Sequence, residues 1–172
     1  MHTYTKYAAI LGLFLAWFGS GCHNSGAEVS VPSDCRQFLD KFFEAVKSKD
    51  VGKLQELASY VSLAQSAGAP AGPLDRMRES KKQFAKDTFE RMNKDFGDLR
   101  SCSVVSVKTT TITTAELAAK NMQGTMQEGI HTEIICRATF TRQNSALIRL
   151  NLFKETPESE YFIEGWVYQA EL

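Results

Sequence analysis

Covalent chemistry in this chain would fall first to four cysteines, at positions 22, 35, 102 and 136. No CxxC pair and no Cys–His cluster occurs among them, so no metal or cofactor site is expected. Acid–base chemistry needs a titratable group set in an apolar pocket. His131 stands where a strand begins after a loop and reads as a solvated strand-end residue. Asp40 lies two residues from both Phe38 and Phe42, which turns it to the opposite side of their helix, toward solvent. Asp50 reads as a helix cap. The chain has no GxSxG nucleophile motif, phosphate loop or paired-carboxylate signature. No catalytic residue is expected.

Recognition has a sharper candidate. Glu133, Arg137, Arg149, Glu164, Trp166 and Tyr168 share one face of a sheet if the strand registers allow it. Charged and aromatic side chains together suit a polar pocket or a binding face. The simpler alternative, a solvated outer face with cross-strand ion pairs, asks less of the sequence.

The chemistry open to Cys22 depends on what precedes it. "MHTYTK" is short and polar with one positive charge, Lys6, and Tyr7 to Phe18 is a run of twelve uncharged residues. A bilayer span needs about 20 apolar residues, whereas the core of a secretory signal is this short. Export follows, with two cleavage sites in competition. "GSGC" resembles the bacterial lipobox: Ser20, Gly21 and Cys22 match it, and Gly19 stands where the pattern prefers Leu. Cleavage there makes 1–21 a signal peptide and Cys22 the acylated first residue, holding the protein to a membrane of the bacterial envelope. The other site follows Ala27, where Ser25 and Ala27 give the small-x-small pattern; Cys22 is then lost and the protein is secreted free.

Residues 22–32 read as a polar tether and 33–172 as a single domain. From Cys22 onward 151 residues remain, enough for one hydrophobic core. The whole chain balances 20 basic against 20 acidic residues, and loss of Lys6 leaves the mature form near −1. No basic patch stands out, so nucleic acid is not an expected partner.

Three helices are expected first. Phe38, Leu39, Phe42, Phe43 and Val46 fall on one helical face behind a Ser33–Asp34 cap. A shorter helix follows Asp50, carrying Leu54, Leu57, Tyr60 and Val61. "SAGAPAGP" (66–73) reads as a mobile loop. Leu74, Met77, Phe84, Met92 and Phe96, with Phe89 beside them, then form the apolar stripe of a long helix ended by Gly97.

The period changes at 101. "SCSVVSVKTTTITT" is rich in β-branched residues. Residues 131–142 alternate, with Ile134, Cys136, Ala138 and Phe140 on one face. Ala146, Ile148, Leu150 and Leu152 do the same in the next strand, and 159–172 supply a fourth. Turns at 142–145 and 156–159 make the last three an antiparallel meander, and 115–129 is a longer connection with a helical turn at 115–121. Helices followed by such a sheet give an α+β fold. With Cys102 and Cys136 on adjacent strands, one candidate is a Cys102–Cys136 disulfide, in a register that sets 111 opposite 127. The alternatives are a bridge from Cys35 to either, or three small buried thiols.

"FLDKFFEAVKSKDVGKLQELAS" resembles the opening of the NTF2-like (cystatin-like) superfamily, where a first helix passes through a "kD" step into a shorter one. "TEIICRATFTRQNSALIRLNLFKETPESEYFIEGWVY" is similar to that superfamily's terminal strands. The resemblance implies N-terminal helices packed on a curved four-stranded antiparallel sheet, a cone around a pocket, and dimers formed through the sheet. It leaves function open. One candidate is a membrane-anchored module that binds an unidentified small molecule or envelope protein. The other is a small pocket enzyme of the isomerase or dehydratase kind.

Overall fold

The computed structural model describes residues 29–59, 71–119 and 127–171. Cys22, both expected cleavage sites, and the tether up to residue 28 lie outside them.

Helix α1 (Ser33–Ser48) buries Phe38, Leu39, Phe42 and Val46, as their spacing requires, together with Cys35 and Ala45. Its start departs from expectation. Pro32 holds the cap position without a side-chain bond, and Ser33 and Asp34 are already in the first turn. Asp34 instead accepts the Cys35 N–H at 2.9 Å and reaches to Lys154. Lys49 ends the helix in left-handed backbone, φ 59°, its N–H turned back to Ala45 and Val46. Asp50 caps helix α2 (Val51–Ala58) as expected, accepting the Lys53 N–H at 2.9 Å. Tyr60 and Val61, assigned to that helix, lie outside the described residues.

Helix α3 (Ala71–Phe96) begins inside the stretch expected to be loop. Its first turn holds Pro73, where a missing N–H costs no intrahelical bond. Leu74, Ala85, Phe89 and Met92 are buried, but Met77 (37% exposed) and Phe84 (42%) are not core. At 3.6 residues per turn they lie roughly 80–100° off the mean direction of these buried residues, on the helix flank. Gly97 ends α3 at φ 81°, and a Cβ there would stand 2.1 Å from Thr141 Oγ1.

Strands β1 (Leu99–Ile112), β2 (Gly129–Phe140), β3 (Ala146–Lys154) and β4 (Phe162–Ala170) form one antiparallel sheet in the order β1-β2-β3-β4. A short helix α4 (Thr114–Ala119) leaves β1. The fold is α+β. Ile134, Cys136, Ala138 and Phe140 pack beside Ala146, Ile148, Leu150 and Leu152 on the inner face, nearly inaccessible to water. Helix α1 touches β1, and α2 and α3 touch β4, so the helices cover this face. The layer between is filled by side chains: Phe42 meets Trp166 edge-on at 5.0 Å, and Phe96 meets Phe140 at 5.4 Å and Tyr168 at 5.2 Å.

Candidate functional site

The expected recognition face is split by one extra residue. In the β3–β4 ladder Leu152 faces Ile163 and Asn151 faces Gly165, so Glu164 is a bulge. A one-residue insertion moves every later side chain to the other face. Trp166 and Tyr168 therefore point inward and are not part of an outer binding face. Trp166 is 1% exposed against Phe42. Its indole N–H has no partner among the described residues. Tyr168 packs on Phe96 and donates to Asp95 at 3.0 Å. Burial first, then the Asp95 carboxylate, raises its pKa.

Arg137, Arg149 and Glu133 do share the outer face. Cross-strand rows there run Glu133–Asn151–Gly165, Ile135–Arg149–Val167 and Arg137–Leu147–Gln169. Arg149 stands 3.8 Å from Glu133, and Arg137 holds Glu171 through two bonds of 2.8 and 3.0 Å. Between these pairs lie half-buried Ile135 and Leu147 and the more open Val167, at 54%. The result is apolar steps between oriented charges, on a surface the described helices leave uncovered.

His131 is not the solvated residue the sequence suggested. It lies inside β2, opposite Phe153, whose ring is 5.1 Å from its own. Nδ1 meets Glu164 Oε2 at 3.1 Å and Nε2 meets the Gln127 carbonyl at 2.8 Å. Both partners are acceptors, so satisfying both requires the doubly protonated ring. Burial works against that charge, but the Glu164 and Gln127 bonds outweigh it and hold the pKa above its ordinary value. The bulge that inverts Trp166 also brings Glu164 to His131.

A second cluster was missed in the sequence. Lys154, at the end of β3, is buried and bonds Asp34 at 2.5 Å and the Pro157 carbonyl at 2.9 Å, with the Tyr161 ring 4.7 Å away. Tyr161 Oη, Thr132 and Thr109 continue the chain at 3.2 and 3.1 Å. The Lys154 bond holds Asp34 below the ordinary carboxylate pKa. Burial raises the Cys35 thiol and pushes the Tyr161 phenol up to about 12. Neutral thiol and phenol beside a committed ammonium make a structural clasp joining the start of α1 to the β3–β4 turn. Its signal was parity: Lys154 shares the register of Ala146, Ile148, Leu150 and Leu152.

None of the bridges considered for the cysteines is formed. Cys35, Cys102 and Cys136 are free thiols. Cys102 faces Ala138 and Cys136 faces Val104, while Thr111 faces Ile130 instead of residue 127. The pair is thus diagonal on the inner face, not directly opposed. Contact with Cys136, then burial, raises the Cys102 pKa. Cys102 also borders a surface hollow of about 320 Å³ between α1 and β1, lined by Arg36, Leu39, Asp40 and Phe43 among others. No group of three or more metal-binding side chains occurs among the described residues.

No family model, curated protein or solved structure matches this chain. Among the described residues, no helix is long and apolar enough to cross a membrane.

Proposed function

We propose that the protein is an exported lipoprotein of the bacterial envelope, acylated at Cys22, that works as a protein-interaction module on an NTF2-like domain. The order of elements, helices and then an antiparallel meander, supports the superfamily reading. The observation that carries the function is the contrast between the two faces of the sheet. The inner face is packed by Trp166, Phe42, Phe140 and Leu150. The outer face presents Ile135, Leu147 and Val167 between the Arg149–Glu133 and Arg137–Glu171 pairs. Apolar steps among fixed charges suit a macromolecular partner, because the apolar area supplies affinity and the charges select orientation.

A photo-crosslinking residue at Val167 of the full chain, in the cells that make it, tests this. A discrete adduct with another protein, lost on Arg149→Glu and absent from a probe at Gln83 on α3, is expected. Equal labelling at both sites, or an adduct indifferent to Arg149, overturns the assignment.

A further inference from the structure

Two hydrogen-bond acceptors face the His131 imidazole, and only one of its protonation states can serve both. Nδ1 lies 3.1 Å from a Glu164 carboxylate oxygen and Nε2 lies 2.8 Å from the Gln127 carbonyl. The imidazolium donates from both nitrogens, whereas the neutral ring has one N–H and one lone pair. Loss of a single proton therefore sets a ring lone pair against an oxygen at hydrogen-bond distance, and one of the two contacts must open.

Which contact opens follows from the two partners. A bond to a carboxylate is charge-assisted and is the stronger of the pair. Glu164 is also fixed in β4 between Ile163 and Gly165, which both hold ladder positions. Gln127 stands outside the β1–β2 ladder, which ends at Ile112 and Gly129. Its carbonyl is the partner with room to leave. Two residues on, Gly129 runs past the Phe153 ring at φ 144°, so close that a Cβ there would stand 2.6 Å from the ring. Phe153 is 2% exposed, with the His131 ring 5.1 Å away. We propose that His131 is a proton-operated tie: the imidazolium pins Gln127 and holds the start of β2 against Phe153, and the neutral ring keeps Glu164 and lets Gln127 go. The proton leaves from Nε2 to solvent, which reaches the side chain at 15% exposure. The tie is closed below the folded-state pKa of His131, which lies above the ordinary 6.5, and open above it.

Other charges surround the ring. Glu164 comes from β4, and Lys81 of α3 feels its charge. Glu128, next to Gln127, accepts a bond from Thr114. The next residue on this face of β2 is Glu133, 3.8 Å from Arg149 of β3. From β1, Thr110 stands opposite His131 and Lys108 opposite Glu133. Glutamine at 131 does not titrate and leaves all of these in place, so His131→Gln separates the ring's protonation from theirs.

Hydrogen exchange of the full chain at pH 6 and pH 8.5 tests this, read by mass spectrometry on peptides covering 127–131 and corrected for the pH dependence of intrinsic exchange. In the wild type this segment should exchange at least about tenfold faster at pH 8.5, the effect of losing one bond to a charged donor. Peptides from α1 should hold steady. His131→Gln should remove the difference. Glu164→Gln gives the sharpest result. Its amide N–H can donate to Nδ1 of the neutral ring, which leaves the Nε2–H for the Gln127 carbonyl, so both contacts are satisfied without the extra proton. The segment should then stay protected at pH 8.5.

Four results each overturn the proposal: equal corrected rates at the two pH values in the wild type, a pH response retained in His131→Gln, a loosening shared equally by α1, or a Glu164→Gln segment that opens at pH 8.5 as the wild type does. None of them bears on the Val167 adduct, so the two assignments stand or fall separately.

Discussion

Removing either half of the Lys154–Asp34 pair should have unequal effects, because the two groups are buried unequally. The Lys154 side chain is 7% exposed and that of Asp34 is 45% exposed. Asp34→Ala leaves an ammonium inside the protein with, among the described residues, the Pro157 carbonyl and the Tyr161 ring as its remaining partners. Stripping one partner from a fully buried pair costs about 3–5 kcal/mol. Those two remaining contacts, and water entering where Asp34 stood, reduce this to about 2–3 kcal/mol. Lys154→Met leaves a carboxylate that water already reaches, at a helix start where negative charge is favourable, and fills the stem volume with an apolar chain. Its cost should not exceed about 1 kcal/mol. The double variant should sit close to Lys154→Met alone, since the harm in Asp34→Ala comes from the orphaned cation. Urea unfolding of the mature chain at pH 7, followed by Trp166 fluorescence, measures all three. A Lys154→Met cost equal to or above that of Asp34→Ala, or a double variant as unstable as the sum of the singles, would show that the orphaned ammonium is not what destabilises Asp34→Ala.

Three further outcomes follow from the same structure. His131 has a raised pKa, so its contribution to stability is complete below the ordinary value near 6.5 and is lost as pH rises through the folded-state value. Burial opposes the charge, and Glu164 and the Gln127 carbonyl outweigh it. The stability gap between wild type and His131→Gln should therefore be widest at pH 6 and shrink by pH 8.5; a gap that grows with pH would contradict the doubly bonded imidazolium. Gly97→Ala should cost at least about 1–2 kcal/mol in chemical denaturation, because φ 81° strains an L-residue and its Cβ collides with Thr141; a neutral result would mean the α3–β1 turn is misplaced. In the native protein a maleimide should label Cys102 slowly and ahead of Cys35 and Cys136, which are fully buried, with peptide mass spectrometry reading the order.

What was legible in the sequence was whatever a regular period carries. The buried faces of α1, β2 and β3 follow from spacing alone, because helix and strand periods place Phe38 with Phe42 and Ile134 with Cys136 whatever packs against them. The Asp50 cap and the Gly97 stop were equally local. The misses came where one residue breaks a period. The bulge at Glu164 sends Trp166 and Tyr168 into the core and couples Glu164 to His131, and nothing in "YFIEGWVY" marks it except Gly165 beside it. Cys102 and Cys136 are diagonal because the strand ends and the irregularity at Val104/Ser106 set the register. Met77 and Phe84 fit the helical repeat yet face outward, since periodicity gives the stripe's direction but not the width that neighbours cover. Lys154 was hidden by its charge, although its position in β3 placed it on the core face.

The central claim is an anchored protein that recognises its partner through a surface instead of holding a small molecule in its interior. Native mass spectrometry of the chain extracted from the membranes of cells that make it tests this most directly. The account predicts a chain that begins at Cys22, heavier than its sequence by the mass of its acyl groups, and carrying no small molecule that leaves on denaturation. A chain beginning at Glu28 without lipid, or a stoichiometric small mass released on unfolding, would contradict it.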